Sequence, residues 1–220
     1  QLHLLRWIFS FHQKKFSEVD VVVNSENVDA IVFDLGLSSI QLNNLERGFS
    51  FKSKKNLDMS MGLSNMSAEE VVNNYSEQKL KSIIRVLGEE KDASRIVKNI
   101  IRERVVKKIT KVDQLVKIIE NSKKKNYANK INPSTKTFQA LRIFVNKEIT
   151  ELIQGIINAT KILKPGGKIL IVSFHSIEDK IIKYFFSNFS INRSKPSRYF
   201  PENSENNISL FEKYKNRIIK

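Results

Sequence analysis

The stretch Val28–Gln41 (VDAIVFDLGLSSIQ) constrains the fold more than any other part of the sequence. It begins with an apolar run, Ala30–Phe33, whose β-branched and aromatic residues are typical of a strand buried on both faces. The run stops at Asp34, and Gly36 then frees the backbone for a sharp turn. Ligands of open α/β sheets bind at the carboxyl ends of strands, where a short polar cluster follows here: Ser38, Ser39 and Gln41. The sequence therefore predicts a binding site, although Asp34 could instead only cap the turn.

A second strand is predicted at Lys168–Phe174, after the turn Leu163–Gly167 (LKPGG). One long helix is predicted before it, following Pro133, with these side chains inward: Phe138, Leu141, Val145, Ile149, Leu152 and Ile156. Strand, helices and strand in this order are typical of a βαβ arrangement, so the predicted fold class is α/β with a parallel sheet.

His175 follows the second predicted strand and should therefore lie at the same edge of the sheet as Asp34. Ser176 is predicted to cap the next helix, Ile177–Asn188, with Glu178 and Asp179 in its first turn. The capping role does not account for His175. That histidine is a candidate catalytic residue, and a structural hydrogen-bonding role is the alternative.

Helical patterns dominate from Ser67 to about Lys130. Ser67 and Glu70 form a capping box, and Gly88 is a C-terminal stop signal. One apolar stripe is predicted to face a small core: Ala93, Ile96, Val97, Ile100, Ile101 and Val105. These helices would leave basic outer surfaces, with Lys98, Arg102 and Lys108 as candidate RNA contacts.

The loop before these helices carries Arg47, Phe49 and Phe51. A guanidinium beside aromatic rings is suited to stacking on an unpaired base, so Arg47 and Phe49 are predicted to contact RNA. The alternative is that the rings anchor the loop to the core.

Net charge points to a polyanionic partner. The chain carries +15, and residues 79–130 alone hold 16 Lys/Arg against 6 Asp/Glu. Such asymmetry is typical of nucleic-acid binding, unless it reflects a biased base composition of the gene. Cysteine is absent, which excludes disulfides and cysteine-bound zinc, and the three histidines (His3, His12 and His175) lack clustered carboxylates, which argues against a catalytic metal. No apolar run approaches a membrane span, so a cytoplasmic protein is predicted.

Six segments in the same order resemble the bacterial methyltransferases that modify N4 of a cytidine in 16S rRNA, the MraW/RsmH family. They are DLGLSSIQ (34–41), ERGFSF (46–51), LDMSM (57–61), GEE (88–90), STKTFQALRIFVNKE (134–148) and LKPGGKILIVSFHSIEDK (163–180). The resemblance implies a Rossmann-like class I methyltransferase sheet, incomplete here, with an inserted all-helical domain. Expected limits are 1–45 and 135–190 for the methyltransferase domain, 46–134 for the RNA-facing insertion and 191–220 for a polar tail.

The resemblance also implies S-adenosylmethionine as cofactor and the small ribosomal subunit as partner. Asp34 and Gln41 correspond to cofactor contacts of the family, and Phe9 to an aromatic residue near the adenine. For Phe9 the alternative is a phenylalanine of the core. Ser38 and Ser39 lie where other amino-methyltransferases carry the motif that orients the acceptor amine, without its Pro-Pro. Methylation of an amine needs no thiolate, which agrees with the lack of cysteine. The alternative function is that of a non-catalytic basic RNA-binding fragment.

The positions of the glycines indicate that a cofactor-binding turn is missing from this sequence. Rossmann-like sheets cradle the cofactor with a glycine-rich turn after their first strand, and none of the seven glycines here forms a G-x-G pattern. The chain is therefore expected to lack its first strands. The family resemblance implies in addition that it stops before the strand that usually closes the sheet.

The resulting prediction is that this chain alone binds S-adenosylmethionine poorly and is inactive. Calorimetric titration of the cofactor into this chain, and into one extended upstream, checks it. Micromolar binding by the shorter chain would contradict the expectation.

Overall fold

The computed structural model describes residues 9–23, 28–38, 45–62, 64, 66–123 and 132–188. The chain forms two compact units, which part between Leu35 and Gly36 and again between Ile149 and Thr150. The predicted helical insertion, residues 46–134, falls within the second unit. The described helices are α1 (Val19–Val22), α2 (Ala68–Asn74), α3 (Glu77–Leu87), α4 (Ala93–Val106), α5 (Val112–Ser122), α6 (Thr135–Val145), α7 (Glu148–Ile162) and α8 (Ser176–Asn188).

Two parallel strands organise the first unit. Strand β1 (Val28–Asp34) pairs with β2 (Leu163–Val172), in a register that runs from Ala30 opposite Lys168 to Asp34 opposite Val172. The parallel pairing confirms the predicted βαβ order. Strand β2 begins earlier than predicted, because Leu163 already pairs with Val28, and the pairing is irregular between that point and Ala30.

The core of this unit covers one face of the strand pair. Phe33 is 3% exposed and packs with side chains from both strands, α7 and α8: Ile31, Ile169, Ile171, Leu152, Ile156, Ala159, Ile181, Ile182 and Phe185. On the opposite face Val32 is 65% exposed and Leu170 50%. The prediction that β1 is buried on both faces is therefore wrong for the described residues, because their helices pack on only one side.

A short 3₁₀ helix, Phe16–Glu18, attaches to α7. The Phe16 ring meets Phe33 edge-on at 5.5 Å between centroids. The Asn158 side-chain amide donates hydrogen bonds to the Ser17 carbonyl (2.6 Å) and to Asp20 (3.0 Å). Gly155 allows this close approach, because a Cβ there would lie 2.9 Å from the Phe16 Cβ.

Apolar stripes of five helices form the core of the second unit. The capping box of Ser67 and Glu70 is confirmed, with hydrogen bonds of 3.2 and 2.9 Å. Gly88 caps α3 as predicted. Fully buried large side chains here include Leu57, Met59, Leu80, Ile84, Ile96, Ile100, Leu115, Ile119 and Leu141. Val105 departs from its predicted stripe and is 82% exposed, because it lies in the last turn of α4, beyond the buried stripe.

The single long helix predicted after Pro133 is also wrong. Helix α6 ends at Val145, and α7 begins at Glu148. Between them Lys147 adopts a left-handed conformation with φ of 53°, which interrupts the helical hydrogen bonding.

Gly155→Ala is expected to destabilise the fold, although alanine is the better helix former by about 1 kcal/mol. The added Cβ would force the Phe16 segment away from α7, which typically costs about 1–3 kcal/mol. Chemical denaturation measures the difference, with Thr150→Ala on an exposed position of the same helix as the matched control. A rise in the unfolding midpoint of Gly155→Ala would contradict the close contact.

Candidate active site and nucleic-acid interface

The carboxyl ends of β1 and β2 lie side by side, because Asp34 pairs in register with Val172. Asp34 is exposed, and its carboxylate has no hydrogen-bond or ionic partner among the described residues. The Leu35 backbone N–H donates to the Val172 carbonyl at 3.1 Å, which extends the pairing just past Asp34. His175 follows three residues after Val172, so the predicted common edge for Asp34 and His175 is present.

His175, rather than Ser176, occupies the cap position of α8. The backbone N–H of Glu178 donates to the Nδ1 atom of His175 at 3.3 Å, and that of Asp179 donates to its carbonyl at 3.2 Å. The prediction of Ser176 as the cap is therefore displaced by one residue. Because Nδ1 accepts a hydrogen bond, the proton of a neutral imidazole is on Nε2.

Glu178 is the residue that the sequence argument undervalued. Its side chain is 3% exposed, and its Oε2 accepts a hydrogen bond from the Phe174 backbone N–H at 3.1 Å. Its Oε1 lies 3.1 Å from the Nε2 atom of His175, but Nε2 makes no hydrogen bond within the described part of the chain. The spacing of His175 and Glu178 is that of a capping box, so the pattern was present in the sequence. It also places a carboxylate beside a histidine that was judged to have none.

The other predicted residues of this edge are less well defined. Phe9 is described and is 85% exposed, so the alternative of a core phenylalanine is wrong. Ser38 is exposed and belongs to the second unit. Ser39 and Gln41 lie outside the described residues. Their predicted roles stay predictions.

The loop that carries Arg47 and Phe49 is anchored by these two side chains. The Arg47 guanidinium donates to the Ser60 carbonyl at 2.6 Å and lies over the Phe49 ring, 5.3 Å from its centroid. Phe49 is 6% exposed, and Phe51 packs edge-on against Phe138. The prediction of Phe49 as a stacking platform for RNA is therefore wrong, because its ring is buried in the core. The anchoring alternative applies to both rings, and an RNA contact by Arg47 stays a prediction.

Asn146 ties this loop to the end of α6. Its side-chain amide donates to the carbonyls of Met59 (2.8 Å) and Arg142 (2.9 Å), and its Oδ1 accepts from the Met61 N–H at 2.7 Å. Met59 has a left-handed φ of 59°, which a non-glycine residue adopts only when its surroundings hold it there. The segments 57–61 and 146–148 thus form one ordered feature, which no local pattern in the sequence revealed.

Two partly buried ion pairs complete the framework of this unit. Arg142 forms a two-pronged pair with Glu148, with both N–O distances 2.9 Å, across the break between α6 and α7. Lys123 pairs with the buried carboxylate of Glu90 at 2.5 Å and donates to the Pro133 carbonyl. Arg142, Glu148 and Glu90 all belong to the segments that resemble the methyltransferase family. Their contacts here give them structural roles.

The three basic candidates on the helices differ in their surroundings. Lys108 forms a 2.8 Å ion pair with Glu69. Arg102 is 71% exposed and lies 3.7 Å from Glu103, while Lys98 is exposed with no partner in the described ranges. Water screens an exposed pair such as that of Arg102, which leaves its charge available to a ligand.

Comparison with known proteins relates the strand edge and the basic helical unit to a known family. A sequence profile of the MraW methylase family matches residues 2–218. The "Ribosomal RNA small subunit methyltransferase H" of Bartonella bacilliformis is 44% identical over 203 residues, which cover 92% of this chain and 61% of the relative. Proteins of the same name from Ehrlichia canis (45% identity; 81% of this chain, 61% of the relative) and Sinorhizobium fredii (43%; 85% and 54%) match similarly. The chain spans about three fifths of these relatives' length.

Asn146→Ala is expected to destabilise the second unit by about 2–3 kcal/mol, because it leaves the Met59 carbonyl and the Met61 N–H without their partner. Denaturant unfolding checks the value. Asn74→Ala on an exposed position of α2 is the matched control. Equal stability of Asn146→Ala and the control would show that the loop does not depend on this amide.

Proposed function

The chain belongs to the MraW methylase family, and we propose that it provides most of an enzyme that methylates N4 of a cytidine in 16S rRNA with S-adenosylmethionine. The observation that carries the proposal is the parallel pairing of β1 and β2, which sets Asp34 and His175 at one edge. The relatives' printed name, which refers to ribosomal RNA of the small subunit, supports the substrate class. Their greater length means that the activity belongs to a protein of that length.

The proposed architecture is a Rossmann-like sheet with an inserted helical domain. The parallel strand pair supports the first part, since ligands of such sheets bind at the carboxyl ends of strands. The helical core between residues 57 and 145, which lies between β1 and β2 in the sequence, supports the second.

The chemistry is a displacement at carbon. When bound, S-adenosylmethionine supplies a methyl group on a positively charged sulfur. The exocyclic N4 of cytosine is a weak nucleophile, because its lone pair is delocalised into the ring. The chain must therefore hold N4 in line with the methyl group and accept hydrogen bonds from its protons as positive charge develops.

Asp34 fits this task. Its carboxylate is a charged acceptor at the edge, with no partner among the described residues, so it can accept hydrogen bonds from the cofactor or from N4. His175 lies at the same edge, but its Nε2 carries the proton of a neutral imidazole and faces the Glu178 carboxylate at 3.1 Å, so it is not a free acceptor for N4. Glu178 holds the imidazole in place through the helix cap. Phe9, Gln41, Ser38 and Ser39 are further proposed contacts, on the family resemblance alone.

The base must be unpaired to reach such an edge, which costs a few kcal/mol. The basic helix α4 and the cations beside it are the proposed grip on the surrounding RNA, since phosphate contacts supply sequence-independent affinity. Work on ribosomal RNA is consistent with a cytoplasmic location. Among the described helices, none combines the length and the apolar character needed to cross a bilayer.

In a protein of the relatives' length, Asp34→Ala is expected to weaken S-adenosylmethionine binding by about 1.5–3 kcal/mol, typical for loss of a charged hydrogen bond. The rate of methyl transfer to N4 of cytidine in unmodified small ribosomal subunits should fall by at least the factor by which cofactor affinity falls. Calorimetry and mass spectrometry of digested rRNA provide the two measurements.

Asp29→Ala is the matched control, because Asp29 lies at the other end of β1 and pairs with the exposed Lys164. A folded Asp34→Ala protein with unchanged cofactor affinity would remove Asp34 from the cofactor site. A wild-type protein that binds RNA but transfers no methyl group would favour the non-catalytic alternative.

A further inference from the structure

An open groove of about 270 Å³ lies between helices α4 and α5 on the surface of the second unit. Each helix contributes one face at the helical spacing of three and four residues. From α4 these are Asn99, Arg102, Glu103 and Val106; from α5 they are Gln114, Lys117, Ile118 and Asn121. The same periodicity that buries the opposite faces of both helices therefore builds this groove.

The groove is apolar at its base and polar along its sides. Ile109 and Ile118 line it and are almost fully buried, at 2% and 9% exposure. Gln114 is held in place by accepting hydrogen bonds from two backbone N–H groups, those of Thr110 and Lys111, at 2.9 Å each. Because the floor of the groove is fixed in this way, the charged side chains above it are held in a defined arrangement.

Three cations and one carboxylate line the groove, which gives it a net charge of +2. The side-chain ammonium groups of Lys107 and Lys117 have no ion pair or hydrogen bond among the residues that the structure describes. The nearest carboxylate to Arg102 is that of Glu103, at 3.7 Å with both side chains half exposed or more. Asn121 also has no partner within the described ranges, so its amide is available to a ligand.

Neighbouring basic residues are used differently. Arg104 donates to the carbonyls of Val72 and Tyr75, at 2.9 and 2.7 Å, and Lys108 pairs with Glu69. Lys107 and Lys117 therefore keep their charges free beside Arg102, whereas Lys98, which also has no partner among the described residues, lies outside the groove. The net charge of +2 around the groove favours an anionic ligand.

The shape narrows the ligand class. Pockets for complete small ligands usually enclose about 300–1,000 Å³, so an open groove of this size suits part of a longer polymer. Val106 is 84% exposed beside the cations and offers apolar surface as well as charge. Single-stranded RNA combines phosphates for the Arg and Lys side chains, riboses for the apolar surface and hydroxyl or base groups for Asn121.

We propose that the α4–α5 groove binds the backbone of a single-stranded stretch of the substrate RNA through Arg102, Lys107 and Lys117. The proposal rests on the proposed function, because RNA is the substrate there. It adds Lys107, Lys117 and Asn121 to the predicted contacts and gives Lys98 and Lys108 no role in the groove. It does not involve the cofactor.

The test measures binding of the 220-residue chain to a fluorescein-labelled single-stranded 12-nucleotide RNA, without cofactor, between about 50 and 200 mM salt. The groove variant is R102Q/K107Q/K117Q. The matched control, K81Q/R85Q/K91Q, removes the same charge from α3 and the turn after it, where these side chains do not line the groove. Lys81 is half-buried and the other five side chains are exposed, and circular dichroism verifies that both variants fold.

The groove variant should bind at least tenfold more weakly at 100 mM salt. Its slope of log affinity against log salt should fall by about 1.4–2, since each phosphate on a single strand contributes about 0.7. The control should change affinity less than threefold. In wild type, RNA should protect Lys107 and Lys117 from acetylation but leave Lys81 and Lys91 reactive.

Equal losses in both variants would overturn the proposal, because net charge alone would then explain binding. An acidic peptide that competes as well as RNA at the same charge would overturn it in favour of a protein partner. Retained RNA binding and protection in a protein of the relatives' length that transfers no methyl group would refute the proposed function but leave the groove intact. Normal methyl transfer with unchanged RNA binding in the groove variant would refute the groove alone.

Discussion

The candidate active site depends on the parallel pairing of β1 with β2. A parallel pair cannot close through a tight turn and needs a crossover, which here comprises all of residues 35–162. The crossover ends in α7, whose apolar side packs on the same strands through Leu152 and Ile156. The register then decides which residues lie at the carboxyl edge, because Asp34 pairs with Val172 and the two strands end at the same level. A shift of one residue would turn Phe33 out of the core, so burial and site geometry are maintained by the same constraint.

Local patterns in the sequence predicted the features that depend on local physics. The capping box at Ser67, the stop at Gly88 and the strand that ends at Asp34 each follow from a few adjacent residues. The break between α6 and α7 could not be predicted in this way. It depends on Asn146 bonding to Met59 and Met61, which lie more than 80 residues earlier. Apolar periodicity continues across the break, and so a single helix was the natural but wrong expectation.

The same distinction applies to the site. The positions of Asp34 and His175 were predictable because one ends a strand and the other follows one, although their roles in the site stay predictions. The buried position of Phe49 instead depends on Arg47, Ser60 and the helical core. An arginine beside an aromatic ring has the same sequence pattern whether the pair binds a base or anchors a loop. Glu178 was read as a residue that favours a helix start electrostatically. Its carboxylate instead reaches back to Phe174, and this fixes the segment that carries His175.

Counting the basic residues in the sequence overestimates the charge that the helical unit can offer to a ligand. Among the basic residues of the helical unit, Lys123 neutralises the buried Glu90, and Arg104 satisfies two backbone carbonyls. Both are needed for stability, because an unpaired buried carboxylate or carbonyl is costly. Their charges contribute to the sequence total but are committed within the fold. Of the cations on α4 and α5, Arg102 and Lys117 lie with Lys107 around one groove, whereas the unpartnered Lys98 lies outside it. The proposed RNA-binding surface is therefore smaller than the total charge indicates.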